Sequence, residues 1–154
     1  MKLLIITSLL VVSGLTYSAH HEGAVGSNPF ILIARVHVKE GMVERYLDAA
    51  QTVDEAVEKT EPGMLFHNFD SDPNDPLAFT WTEVYKNSEA FLTHTSNPPV
   101  LEYVGQHGEL GDGFSIEIYG NVSDAVLKNI EELGFPLTHY KTTRVGYVRE
   151  ESFR

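Results

Sequence analysis

Apolar and polar positions alternate in the stretch 30–39, where every second side chain is apolar. The apolar set is Phe30, Leu32, Ala34, Val36 and Val38. The intervening positions are Ile31, Ile33, Arg35, His37 and Lys39. A period of two predicts a β-strand with one face in the core. The other face is apolar at one end and charged at the other, so only part of it suits exposure to water.

The period changes to that of a helix after Glu40-Gly41. Apolar residues recur every three or four positions from Val43 to Val57, with charged residues between them. This spacing predicts an amphipathic helix, which Glu61-Pro62-Gly63 should end because proline and glycine interrupt helices.

The remaining elements follow from the same two periods and from turn-forming residues. They are predicted as strands at 64–69 and 77–85, a helix from Ser88, one or two helical turns near 100–104, a strand at 114–119, a helix at 124–133 and a strand at 139–149. The glycine-containing segment 105–113 predicts a flexible connector. The order strand, helix, strand, strand, helix, strand over 30–119 is that of a ferredoxin-like fold. We therefore predict an α+β domain, with an antiparallel sheet carrying its helices on one face, and a helix–strand extension of that domain at 120–154.

The first residues precede this pattern. Lys2 and the apolar run from Leu3 to Leu15 predict a signal peptide over 1–18. The run is shorter than the roughly 20 residues that cross a bilayer. Cleavage is expected after Ser18, or alternatively after Ala19, leaving a flexible arm up to residue 29. The mature protein is expected outside the cytoplasm, in the periplasm or the medium.

The composition excludes several kinds of binding partner and of reaction. The 154 residues are 42% hydrophobic, which allows one domain with a core of its own. There is no cysteine, which excludes disulfides, a thiol nucleophile and a lipid-modified N-terminus. The formal charge of -11 becomes -12 when Lys2 leaves with the signal. Such an acidic chain is not expected to bind nucleic acid or, once the signal is removed, a membrane.

Candidate chemistry is concentrated in the stretch 79–94. One face of the predicted third strand carries Phe79, Trp81, Glu83 and Tyr85. Phe91 and His94 are three residues apart and share a face of the next helix. An imidazole can act as a general base near neutral pH, a carboxylate can orient it, and aromatic rings can stack a flat substrate. We take His94 and Glu83 as candidate catalytic residues, and the four aromatic residues as candidate substrate contacts.

Each of these residues also has a structural interpretation. His94 could stabilise the C-terminal end of its helix, where a cation meets the helix dipole favourably. Trp81 and Phe79 could be ordinary core residues. Glu83 could pair with Arg35 for structural reasons, since a buried carboxylate is costly unless it is paired.

Four short motifs carry a family resemblance over about residues 30–119. Lys39-Glu40-Gly41, Glu61-Pro62-Gly63, Glu83-x-Tyr85 and Ala90-Phe91-x-x-His94 resemble the antibiotic biosynthesis monooxygenase family of dimeric α/β barrels. The resemblance implies a homodimer, with which the apolar Ile31 and Ile33 on the second face of strand one agree. It also matches His94 to the family's helix histidine, and Glu83 and Tyr85 to its strand Glu-x-Trp/Tyr.

The activity implied by this resemblance is that of the family's oxygenases, which need neither metal nor flavin. In them an electron-rich phenol loses a proton in an apolar pocket, and the anion passes an electron to dioxygen. We therefore expect a cofactor-independent monooxygenase acting on a small quinol or phenol. The alternative is a non-catalytic dimer of the same fold that binds a small ligand.

Two possibilities that involve a metal have less support than the oxygenase and the ligand-binding dimer. Haem degradation is disfavoured, because Ala34 stands where haem-degrading relatives carry asparagine and Val104 stands near the position of their ligand histidine. No metal is expected in the candidate site. Cleavage after Ser18 would, however, expose Ala19-His20-His21, whose amine, amides and imidazole suit square-planar copper(II) or nickel(II). A short histidine tract is only a compositional hint of such a site.

Overall fold

The computed structural model describes residues 28–149. The predicted signal peptide, most of the predicted arm and the His20-His21 motif lie outside the described residues. The elements are β1 (Phe30–Val38), α1 (Val43–Thr60), β2 (Met64–Ser71), β3 (Ala78–Tyr85), α2 (Ser88–Ser96), α3 (Pro98–Leu110), β4 (Gly111–Tyr119), α4 (Asp124–Leu133) and β5 (Leu137–Tyr140). None of the helices among residues 28–149 has both the length and the apolar character needed to cross a membrane.

The strands form one five-stranded sheet in the order β2-β3-β1-β4-β5. The first four strands pair antiparallel, as in the split β-α-β arrangement, so the predicted ferredoxin-like α+β fold is confirmed. β5 pairs parallel to β4, which makes the sheet mixed rather than purely antiparallel. The sheet is open, with β2 and β5 at its edges, so the chain by itself does not close a barrel.

The alternation predicted for β1 determines which side of the sheet is covered. Phe30, Leu32 and Val36 are at most 3% exposed, whereas Ile31 is 42% exposed on the other side. We call the side covered by the helices the core face and the other side the open face. Helix α1 contributes to the core at helical spacing, through Tyr46, Ala50, Val53 and Val57. The core therefore lies between one face of the sheet and the helices.

Helix α2, which carries His94, begins with a side-chain cap. The side chain of Asn87 accepts a hydrogen bond from the backbone N–H of Ala90 at 2.9 Å. This bond satisfies one of the amides that have no partner within the first turn of a helix. This cap sets where the helix starts and, with it, which side of α2 faces the core.

Two predicted segments were wrong. Residues 105–110 belong to α3 and residues 111–113 to β4, so no flexible connector separates them. Tyr103, His107 and Leu110 are buried along one side of α3, whereas a side chain added at Gly105 would meet only open space. The last strand ends at Tyr140 and does not continue to residue 149.

Candidate functional site

The core face of β3 carries the four residues that the sequence placed together. Phe79, Trp81, Glu83 and Tyr85 alternate with half-exposed residues and are all buried. Glu83 is only 6% exposed, in the middle of this aromatic face. A carboxylate in such a place requires polar partners, because burial without them is costly.

Tyr85 is the first partner of Glu83. Its hydroxyl donates a hydrogen bond of 2.6 Å to Glu83 Oε2, and the tyrosine itself is fully buried. The expected alternative, a structural ion pair with Arg35, does not occur. Arg35 lies on the open face, where its Nε donates to Glu117 Oε1 at 2.7 Å.

His94 has a different carboxylate partner from the one proposed. Its Nδ1 lies 2.9 Å from Oε2 of Glu61, the residue that follows the last turn of α1. The Asn97 side-chain amide donates to the other oxygen of Glu61 at 2.6 Å. Glu61 is 5% exposed, so the pair is shielded from water. The carboxylate that orients the imidazole is therefore Glu61 and not Glu83.

The pair also changes the proton affinities of both groups. Burial lowers the pKa of His94, but the hydrogen bond to Glu61 and the charges of Glu83 and Glu61 outweigh it, so the pKa lies above its ordinary value. Burial raises the pKa of Glu61, but its bonds to His94 and Asn97 outweigh that effect and the pKa is lowered. Both shifts favour an imidazolium beside a carboxylate.

A second histidine, His67, completes a cluster of ionisable residues that consists of Asp54, Glu61, His67, Glu83 and His94. His67 on β2 stacks against Trp81 with ring centroids 4.1 Å apart. Its Nδ1 lies 2.8 Å from Asp54 Oδ1 on α1, and its Nε2 lies 4.0 Å from Glu83 Oε1. The rings of His67 and His94 are 5.9 Å apart. Both imidazoles thus have a ring nitrogen within 4.8 Å of a carboxylate oxygen of buried Glu83.

The predicted aromatic residues occupy different positions around this cluster. Tyr85 contacts both His94 and Phe91, with ring centroids 5.7 Å and 5.4 Å away. Trp81 reaches the cluster through the His67 ring, and its indole N–H donates to the Tyr103 hydroxyl at 2.8 Å. Phe79 packs further along β3 against Phe69 and does not join the group.

Three members of the cluster were not found by sequence reasoning: Asp54, Glu61 and His67. The sequence holds a signal for each of them. Asp54, on α1, and Glu61, directly after it, follow the helical spacing of buried Val57. His67 lies two positions from Phe69 on β2, which is the period of a strand. None of these patterns shows that the end of α1 and strand β2 meet beside β3.

A groove of about 370 Å³ opens beside the cluster, between α1 and β2. It is lined by residues that include Asp54, His67, Phe69 and Trp81, but Tyr85 and His94 do not line it. A larger cavity of about 490 Å³ lies elsewhere, between the open face and the segment after β5. We assign the candidate site to the smaller groove, because the buried ionisable groups are beside it.

Comparison with known proteins identifies the family. The sequence model for antibiotic biosynthesis monooxygenases matches residues 29–106, a range that contains Asp54, Glu61, His67, Glu83 and His94. The chain belongs to the antibiotic biosynthesis monooxygenase family. No curated protein matches it in sequence.

Solved structures agree with this family fold. Protein SO0527 from Shewanella oneidensis is 22% identical, with 60% of this chain and 90% of that chain covered and a TM-score of 0.57. PA3566 from Pseudomonas aeruginosa is 20% identical, with 65% and 100% covered and a TM-score of 0.57. A candidate antibiotic biosynthesis monooxygenase from Nitrosomonas europaea is 20% identical, with 64% and 94% covered and a TM-score of 0.58. At these identities the likeness shows the fold alone.

Proposed function

We propose that the protein is an exported monooxygenase that oxidises a small, electron-rich phenol or quinol with dioxygen and without a resident cofactor. The observation that carries the proposal is the buried Glu61–His94 pair beside Glu83, next to a groove walled by Trp81. A proton acceptor, a second carboxylate and an aromatic wall are the groups that such a reaction needs.

The proposed reaction begins with transfer of the phenolic proton to the neutral form of His94, by way of the adjacent His67 ring, which lines the groove. The phenolate passes one electron to dioxygen, and the two radicals combine to form a C–O bond at a ring carbon that carries hydrogen, ortho or para to the phenolic oxygen. The resulting peroxide takes up a proton and loses water as the ring C–H bond breaks, which leaves a quinone. One oxygen atom enters the product and the other leaves as water, so the substrate supplies all the electrons.

The site supports these steps electrostatically. Because Glu61 raises the pKa of His94, the imidazole retains the proton that it takes. The imidazolium then stabilises the phenolate and the peroxide, which carry negative charge. Such stabilisation is strongest where water is excluded, and His94 is 8% exposed.

Oxygen consumption tests the proposal directly. Purified protein is mixed with a panel of hydroquinones and phenols in buffer containing a chelator, and dissolved oxygen is recorded. His94→Ala and Glu83→Gln are expected to lower the rate by about 10²-fold or more, the range for loss of a general base or its support. His37→Ala is the matched control, because His37 is an exposed histidine on the open face. Absence of uptake by the wild type on every substrate would refute the proposal.

Non-catalytic ligand binding is the second candidate function. It is favoured by the complete burial of Tyr85 and by a groove that His94 does not line. The chain has one tryptophan, Trp81, and this residue lines the groove, so its fluorescence reports occupancy. Quenching by a hydroquinone without oxygen uptake would support this function over the oxygenase.

We also propose that two copies associate through the open face. Ile31 and Tyr119 are 42% and 37% exposed there, and an open sheet can close into a barrel only with a second sheet. Ile31→Lys should convert a dimer to a monomer in sedimentation analysis. Leu101→Lys, at an apolar position on α3 that is 50% exposed, should leave the dimer intact. Export is tested by the mass of the secreted chain, which should begin at Ala19 or His20.

A further inference from the structure

We propose that His67, Glu83 and His94 bind one divalent transition-metal ion of the zinc type. One possible ligand atom from each of the three residues lies within 4.8 Å of the other two. The site is defined by this geometry and does not depend on the proposed oxygenase activity. It was not expected from the sequence, where His67 was not among the candidates.

The spacing of the donor atoms is close to that of a bound ion. Donors at roughly 2.0–2.2 Å from tetrahedral zinc lie about 3.4 Å from one another. His67 Nε2 and Glu83 Oε1 are 4.0 Å apart, so this pair needs to close by only about 0.6 Å. The other separations are at most 4.8 Å, so they need to close by no more than about 1.4 Å, which small side-chain rotations would supply.

Each ligand is held by a partner through an atom that the ion would not use. Asp54 binds Nδ1 of His67 at 2.8 Å, and Glu61 binds Nδ1 of His94 at 2.9 Å. Nε2 is therefore the ring nitrogen that each histidine offers. Metal-binding histidines in proteins are oriented in this way, by a carboxylate on the second nitrogen.

Glu83 is also held through the atom that the ion would not use. The Tyr85 hydroxyl donates to Oε2 at 2.6 Å, and this leaves Oε1 to face His67. All three ligands are thus oriented before an ion arrives. Such preorganisation reduces the loss of side-chain freedom on binding.

The charges around the cluster favour a cation. The ion pairs of Asp54, Glu61 and Glu83 among the described residues are made with His67 and His94 and not with lysine or arginine. With an ion bound both imidazoles are neutral, and the three carboxylates then carry three negative charges, which a divalent ion offsets to one. Glu61 and Glu83 are at most 6% exposed, so their two charges are little screened by water, whereas the Asp54 side chain is 46% exposed.

The donor set indicates the class of ion. Two imidazoles and one carboxylate are typical of catalytic zinc sites, and the same set serves iron(II) where positions remain open. Calcium and magnesium prefer oxygen ligands alone. The groove lined by His67 and Trp81 leads to the cluster and could admit a water molecule or a ligand to a fourth position.

An ion at this site would occupy Nε2 of His94. If the oxygenase proposal also holds, the bound ion prevents His94 from accepting the substrate proton, so zinc should inhibit oxygen uptake. This consequence rests on the proposed function, whereas the binding site does not.

Titration of the full chain with Co²⁺ tests the site through the visible absorption of the bound ion, with displacement by Zn²⁺ as a second readout. We expect one strongly bound ion per chain. His67→Gln and Glu83→Gln should each weaken binding by more than about 100-fold, and Asp54→Asn by about 10–100-fold. The His20→Ala/His21→Ala variant is the control, because that predicted motif is a competing metal site, and it should keep the Co²⁺ absorption.

If a variant fails to fold, NMR of the wild type alone still tests whether His67 and His94 bind the ion. Zn²⁺ should shift the NMR signals of the His67 and His94 rings and leave those of exposed His37 unchanged. Absence of saturable Co²⁺ binding would overturn the proposal, as would binding that survives His67→Gln and Glu83→Gln but is lost in His20→Ala/His21→Ala. Oxygen uptake is measured separately with chelator present, so either proposal can fail without the other.

Discussion

Removing the Tyr85 hydroxyl by Tyr85→Phe isolates one hydrogen bond inside the cluster. The bond runs 2.6 Å to Glu83 Oε2, with Tyr85 at 0% exposure and Glu83 at 6%. The substitution keeps the ring and its stacking on Phe30 at 5.2 Å between centroids. What changes is that a buried carboxylate oxygen loses its donor.

The protein also contains a matched control. Tyr119 donates to Glu117 Oε2, also at 2.6 Å and also two residues apart on one strand, but on the open face. Water can replace the Tyr119 hydroxyl, because the residue is 37% exposed, and cannot reach Glu83 without rearrangement. A hydrogen bond to a buried charged group contributes about 1.5–3 kcal/mol. Tyr85→Phe should therefore lower the free energy of unfolding by about that amount, and Tyr119→Phe by much less.

Urea unfolding of the wild type and both variants measures the difference. With a slope of about 1–3 kcal/mol per molar urea, Tyr85→Phe should move the midpoint down by about 1 M. The measurement is made at two protein concentrations, so that a contribution from association at the open face is recognised by its concentration dependence. Equal shifts for the two variants would refute the reasoning, because burial would then not control the strength of the bond.

Three further substitutions test other parts of the fold. Burial, with the charge of Lys39, lowers the pKa of His107, so the unfolded chain binds the proton more readily. The wild type should lose stability as pH falls through about 6.5, and His107→Gln should lose less between pH 7.5 and 5.5 in urea unfolding. Gly111→Ala would place a methyl group in the His107 ring and should cost about 1–3 kcal/mol by the same assay. Asn87→Ala removes the cap of α2 and should lower the melting temperature, with a cost of about 1 kcal/mol; an unchanged melting temperature would contradict the capping role.

Elements with a regular period were predictable from the sequence. The face shared by Phe79, Trp81, Glu83 and Tyr85 follows from a period of two, and β3 has this alternation. The sequence underestimates the length of helix α3, because Gly105 and Gly108 are typical of a flexible connector. Both glycines lie where an added side chain would meet only open space, so they weaken the helix locally without ending it.

The composition of the cluster was only partly predictable. Glu83 and His94 lie near each other in the sequence, whereas His94 and Glu61 are 33 residues apart and meet only because α1 and α2 pack on the same sheet. The suggested pairing of Glu83 with Arg35 conflicts with the period of β1. Arg35 falls among the outward positions of β1, and the period of two places it on the opposite face of the sheet from Glu83.

The short parallel strand β5 also affects how the sheet meets other chains. β5 covers residues 116–119 of β4 with a strand of only four residues, Leu137–Tyr140. A short edge strand offers few free amides and carbonyls on which a foreign strand could add. A chain truncated before Leu137 would instead present Ile116 and Ile118 on an uncovered strand of nine residues. The extension beyond β4 therefore protects the sheet against edge-to-edge aggregation, a risk that a four-stranded version would have to limit in another way.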